Sequence, residues 1–233
     1  MSKIFLASGV ASLVVALGMG VYLADLPDVS ILKLKNPQVT SMMKIRETQM
    51  RLKRRRFQQR RRWVPYESIS PYLRYAVVVA EDGSFFEHKG LDMVQIKEAL
   101  RRDWEKRSLA YGGSTITQQL AKNLYLTPSK NPLRKIKEAL IARRLEKELG
   151  KRRILELYLN VVEWGSGIYG AEEASRQYFN KPASDLTSEE SARLAAYLPS
   201  PIRLARPRNA KYIDKMTARI LRRMQARGFL PVS

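Results

Sequence analysis

The chain has 233 residues, enough for one domain and an appendage, and 45% of them are hydrophobic, which can furnish a buried core. Lys and Arg number 43 against 22 Asp and Glu, so the net charge of +21 calls for an anionic partner: nucleic acid, a membrane surface or a phosphorylated substrate. The lack of cysteine excludes disulfides, thiolate metal sites and cysteine nucleophiles.

From Ile4 to Ala24 the chain runs through 21 uncharged positions. As a helix at about 1.5 Å per residue this is about 31 Å, matching a hydrocarbon core of about 30 Å. The run reads as a membrane-spanning helix over 4–24 behind a short tip, 1–3. The competing reading is a cleaved signal peptide, but the run is long for one, and VYLADLP offers no convincing small-x-small cleavage site. Lys3 and the amino group before the span, against Lys33 and Lys35 after it, leave orientation ambiguous by charge, with a slight lean toward a cytoplasmic bulk.

Residues 25–65 read as a juxtamembrane segment. Within it RLKRRRFQQRRR, Arg51 to Arg62, carries eight basic side chains. Such a run is a solvated helix face or flexible arm over anionic headgroups, or else a nucleic-acid or polyphosphate site; no groove-reading motif accompanies it. From Tyr66 the pattern is helical. An apolar stretch, PYLRYAVVVAED, ends on acids. Helical steps then follow through Met93, Ile96, Leu100 and Trp104; Ile116, Leu120 and Leu124; Ile136, Leu140 and Leu145; Ile154, Tyr158 and Val162. Thr187 and Glu190 form a capping box, Asn209 is placed to cap a last helix with Tyr212, Met216, Ile220 and Met224 on one face, and Gly228 marks its stop. No strand pattern of convincing length appears, so the domain over 66–233 is expected to be mainly α with any strands short.

Two acids stand out. Glu81 follows the apolar run Ala76 to Ala80, where a low-dielectric wall would raise its pKa toward that of a base, although Asp82-Gly83-Ser84 is also turn chemistry. Glu138 follows Arg134 at i,i+4 and sits beside Lys135, either an ordinary surface ion pair or a second acid among phosphate contacts, with Lys130 as a third cation. Between them GGSTITQQLAKN offers a helix cap at Ser114 or Thr115 whose amides can meet an anion. It also offers Gln118, Gln119 and Lys122, which suit sugar hydroxyls and a phosphate. Glu156 and Asn160 lie one turn apart, where they could brace such a site. His88, the only histidine, makes a poor metal nucleus and suits a buried hydrogen bond.

In order, EDGSFFEHKG, GGSTITQQLAKN, RKIKEALIARRLEK, RRILELYLN and GIYGAEEASRQYF closely resemble the successive motifs of the family 51 glycosyltransferases, from about Tyr66 to Pro207. The resemblance implies a lysozyme-like, mainly α glycosyltransferase domain, behind one transmembrane helix, on the outer face of the cytoplasmic membrane. It implies that Glu81 deprotonates the acceptor 4-hydroxyl of lipid II, with inversion to a β-1,4 bond and loss of undecaprenyl pyrophosphate. Glu138 falls on the second glutamate, which assists that departure. Lys122 matches a diphosphate contact, and Thr115, Gln118, Gln119 and Asn160 match positions lining the cleft. Lys130 stands where many members carry arginine, keeping the charge but losing the bidentate fork. Glu98 stands where many bifunctional members carry arginine. The stretch from Arg101 to Tyr111, with Trp104, Leu109 and Tyr111, suits a flap at the lipid interface.

The implied partners are lipid II, the growing lipid-linked strand, the cytoplasmic membrane and other cell-wall synthesis proteins, with no nucleic acid. The sequence requires no cofactor; by the resemblance Glu138 assists the pyrophosphate directly, through basic groups or through a divalent cation, and the neighbouring acids Glu81 and Asp82 could coordinate Mg²⁺, although two adjacent acids are a weak signal. Two rival readings are a membrane-tethered lytic hydrolase and a non-enzymatic nucleic-acid or lipid binder working through the basic run.

Overall fold

A computed structural model describes residues 17–54, 56–106, 113–129 and 131–230. Of the sequence expectations, Lys130, most of the proposed span (4–16) and positions 107–111 of the flap lie outside these residues, as do the side chains of Leu100 and Trp104. Among the described residues no helix is long and apolar enough to cross a membrane. The helical stretch at 17–24, α1, exposes Leu17 and Val21.

The body of the molecule is two groups of helices around one apolar core. In the first, α3 (Pro71–Glu81) is flanked by α9 (Ser188–Tyr197) and α11 (Ala210–Ala226). Pro71 opens α3 at a position needing no N–H partner, and the apolar run that follows buries Leu73, Ala76, Val77, Val78 and Val79. The expected capping box fixes the start of α9, with Thr187 accepting from the Glu190 amide and Glu190 accepting from that of Thr187. At the far end of α11, Gly228 adopts φ 72°, and the amides of Phe229 and Gly228 bond back to the carbonyls of Met224 and Gln225. This Schellman closure delivers the Phe229 ring onto Tyr75 of α3, stacked at 4.0 Å.

In the second group, α5 (Ile116–Tyr125) packs against α6 (Pro132–Glu148), α7 (Lys151–Val161) and the earlier α2 (Ser41–Leu52). A further helix, α4 (Met93–Lys106), follows the turn after α3; α8 (Ala171–Phe179) and the short α10 (Pro201–Leu204) complete the set. Beside α8 lies a three-stranded sheet in the order β1 (Arg60–Arg61), β3 (Ile168–Tyr169), β2 (Glu163–Gly165), with β1 parallel and β2 antiparallel to β3. Gly167 is required at the turn: its φ is 75°, and a Cβ there would lie 2.5 Å from the Gln58 carbonyl oxygen.

Several positions depart from the sequence pattern, among them Met93 of α4, which is 57% exposed. In α6 the inward face is Lys137, Glu138, Ile141, Ala142 and Leu145, while Ile136 is 47% exposed. In α11 Ile213 is buried where Tyr212 was expected, and the Asn209 side chain, instead of capping, donates to the Arg203 carbonyl at 2.7 Å. Part of the basic run is folded onto the domain. Arg60 and Arg61 form β1, and the Arg61 guanidinium donates to the carbonyls of Pro37 and Gln38 at 2.8 and 2.6 Å. Arg153 adds a second stitch, bonding the carbonyls of Leu32 and Lys35 and the Asn36 side chain.

Candidate active site

Glu81 is the last residue of α3, and the residue after it ties that end to the start of α5. The buried Asp82 carboxylate accepts from the Ile116 amide at 2.9 Å and faces His88 Nε2 at 3.0 Å. His88 Nδ1 accepts from the Gly90 amide, which leaves the ring hydrogen on Nε2 to donate to Asp82. A carboxylate at a helix N-terminus satisfies an orphan amide and complements the dipole, so the joint is favourable on both counts.

The joint sets Glu81 over one face of α5. There Gln119 Nε2 donates to Glu81 Oε2 at 2.8 Å, while Gln119 Oε1 accepts from the Tyr158 hydroxyl at 2.9 Å. Burial raises the pKa of Glu81; the Gln119 bond and the Lys122 ammonium oppose that rise, and Asp82 adds to it. Tyr158 is fully buried, and its pKa is pushed well above the usual phenol value by that burial, with smaller contributions from Glu81 and Asp82.

One turn along α5, Lys122 is half-buried. Burial pulls its pKa below that of an ordinary lysine. Glu138 pushes it back up, Lys135 and Arg134 push it further down, and Glu81 adds a smaller upward push. The ammonium therefore feels both acids. Glu138 is 2% exposed, and its two oxygens are held by Arg134 Nη1 and Lys135 Nζ; Lys135 also donates to Ser114 Oγ at 2.6 Å. The Arg134 Nε bonds the Ser129 carbonyl, fixing the guanidinium from its other side. Removing either partner would leave a buried polar group unpaired, which is costly.

The structure thus brings together Glu81, Gln119, Lys122, Arg134, Lys135 and Glu138. It places the other expected cleft residues differently. Thr115 and Gln118 form a reciprocal capping box at the start of α5, and the Thr115 hydroxyl donates to the Gly90 carbonyl at 2.7 Å. Asn160 is fully buried and clamps the Val64 backbone, accepting from its amide at 3.0 Å and donating to its carbonyl at 2.9 Å. Glu156 pairs with Arg153. Sequence reasoning did not pick out Tyr158 and Ser114 as site residues. Tyr158 read as a core aromatic and Ser114 as an alternative cap, and only the packing of α7 and α6 on α5 gives them partners in the site.

A divalent cation does not fit at Glu81 and Asp82. The Asp82 carboxylate is spent on His88 and Ile116, and among the described residues no three acids or imidazoles converge.

Glu81, in a setting that raises its pKa, and Glu138, held by Arg134 and Lys135, both act on the Lys122 ammonium, an arrangement with the chemistry to move a proton at the first acid and to steady an anion beside the second. The sequence profile of the transglycosylase family matches residues 47–225, and the chain belongs to that family, the family 51 glycosyltransferases its motifs resemble. It is similar to proteins named biosynthetic peptidoglycan transglycosylase. One, from Nitrosospira multiformis, is 48% identical over 189 residues, covering 81% of this chain and 82% of the relative. Another, from Dechloromonas aromatica, is 47% identical over 191 residues, covering 82% and 83%. The match begins within α2, so the basic run and β1 are inside it.

Proposed function

We propose that this glycosyltransferase polymerises peptidoglycan glycan strands from lipid II. The observation that carries the reading is the setting of α5, whose Gln119 bonds Glu81 and whose half-buried Lys122 follows one turn on, packed against the helix on which Arg134 and Lys135 hold Glu138. Glu81 takes the proton of the acceptor's 4-hydroxyl. That oxygen attacks the anomeric carbon of the donor sugar from the face opposite its diphosphate. The new C–O bond forms as the bond to the diphosphate oxygen breaks, so the linkage is β-1,4 with inversion, and polyprenyl diphosphate leaves with the bonding electrons.

The negative charge developing on that oxygen falls to Lys122, Arg134 and Lys135, with Lys130 as a fourth cation by sequence. Preorganised cations in a dry cleft stabilise such charge more than in water. Glu138 acts by fixing Arg134 and Lys135 rather than by meeting the proton in flight. Thr115 and Gln118 serve by shaping the start of α5, and Asn160 by holding the 63–65 segment. The run from Ile4 through α1 is the single membrane span, with the catalytic domain on the outer face of the cytoplasmic membrane, where lipid II presents its sugars.

Purified protein incubated with lipid II, with glycan strands resolved from free lipid on a gel, tests the reading. Strands and free polyprenyl diphosphate are expected. Glu81→Gln should lower the rate by about a hundredfold or more while the circular dichroism stays parental. Folded Glu81→Gln protein polymerising at the parental rate would refute the assignment.

A further inference from the structure

Helix α6 has a second face. Glu138, Ile141 and Leu145 point to the core, whereas Leu140, Arg143, Arg144 and Lys147 follow the i, i+3, i+4, i+7 rhythm along another side. Together with Phe86 and Lys89 from the turn after α3, that side lines a groove of about 810 Å³. Arg143, Arg144, Lys147 and Lys89 are exposed, and Phe86 is 52% exposed. Of the two acids lining the groove, Glu146 is already engaged, accepting from Thr117 Oγ1 at 2.6 Å and Lys151 Nζ at 2.7 Å; Glu87 remains, with Asp28 acting on Arg144 and Glu148, itself paired with Lys33, acting on Lys147 from beside the groove, so the four exposed cations outnumber the acids free to face them.

The groove also touches the end of α1. Leu26, two residues past that helix, lines it, and the Leu26 carbonyl accepts from Arg144 Nη1 at 3.4 Å. A concentration of cations over an apolar floor, at the point where an apolar helix leaves off, matches the layered chemistry of a bilayer surface: acyl methylenes below, phosphates at the level of the guanidinium groups. We infer that this groove, separate from the cleft of Glu81 and Glu138, binds the headgroup of an anionic phospholipid. Arg143 and Arg144 take the phosphate oxygens, and Phe86 and Leu140 meet the first methylenes. The inference rests on reading α1 as the end of a membrane span.

The full chain in neutral detergent micelles, titrated with phosphatidylglycerol or phosphatidylcholine and assayed for retained lipid by native mass spectrometry, provides the test. Phosphatidylglycerol should be retained in preference. Arg143→Gln with Arg144→Gln should weaken its retention by about tenfold or more. Removing the same charge from the exposed face of α11, as Arg222→Gln with Arg223→Gln, should change retention less than about twofold if position rather than total charge decides. Equal loss in the α11 pair, or parental retention in the α6 pair, overturns the site. Displacement of the lipid by inorganic phosphate at equal concentration overturns the lipid as occupant. The α6 pair should still polymerise lipid II in micelles at the parental rate. A parental protein that retains phosphatidylglycerol yet polymerises nothing would count against the proposed function and leave the lipid site standing.

Discussion

Gln119 shows how much one amide decides. Its oxygen is committed to the Tyr158 hydroxyl, which burial keeps protonated, so its NH₂ group faces Glu81 and donates to the ionised carboxylate. That bond lowers the Glu81 pKa against the larger upward effect of burial. The proposed base works ionised, so activity should fall as pH drops through the raised Glu81 pKa. Gln119→Leu removes the opposing bond, raises that pKa further and should move the acidic limb of the kcat/KM profile to higher pH. A limb that stays put or moves to lower pH would contradict the assignment of Glu81 as the titrating base. Gln119→Glu should be worse, since it sets a second carboxylate against the first; a pH–rate profile and thermal melt on the same preparation would separate the electrostatic loss from misfolding.

At the scale of elements, the site depends on where α5 begins and on what holds the segment before α3. Asn160 satisfies both polar groups of Val64 from the core of α7. Asn160→Leu strands that amide and carbonyl and should cost about 3 kcal/mol, read as a fall in Tm of about 2–4 °C per kcal/mol. Helices α5 and α9 were legible because a cap marks the start of each, and α3 and α7 through their apolar runs, whereas in α11 the stop at Gly228 was legible but the cap and one position of the buried face were not. The face of α6 was not: a helix that turns a glutamate and a lysine inward and leaves Ile136 outside defeats a hydrophobic-period reading, since the partners that make Glu138 tolerable are supplied by geometry. The two- and three-residue strands were invisible for a simpler reason, being too short to show alternation. Glu81 and Glu138 stood out through ordered motifs, whereas their common neighbour Lys122 came only with α5, bonded at its start and at Gln119 to the end of α3 and packed on α6.

In the whole molecule, the segment from α1 to β1 is sewn down along its length. Arg153 gathers the chain at Leu32, Lys35 and Asn36, Arg61 gathers it at Pro37 and Gln38, and Arg46 of α2 pairs with Glu163 at the rim of the sheet. Arg153 is the most connected of these, and its guanidinium also lies over the Trp63 ring. If α1 ends a membrane span, as proposed, the stitching ties that anchor to the catalytic domain and would act as a ruler that holds the catalytic mouth at one height above the bilayer. A polymer precursor tethered by its own tail presents its sugars at one depth. A short glycine–serine insertion after Asn36 should therefore spare the fold and the turnover of precursor dispersed in micelles, while strand synthesis from precursor embedded in vesicles collapses. Equal activity in both settings would mean that altitude is set elsewhere.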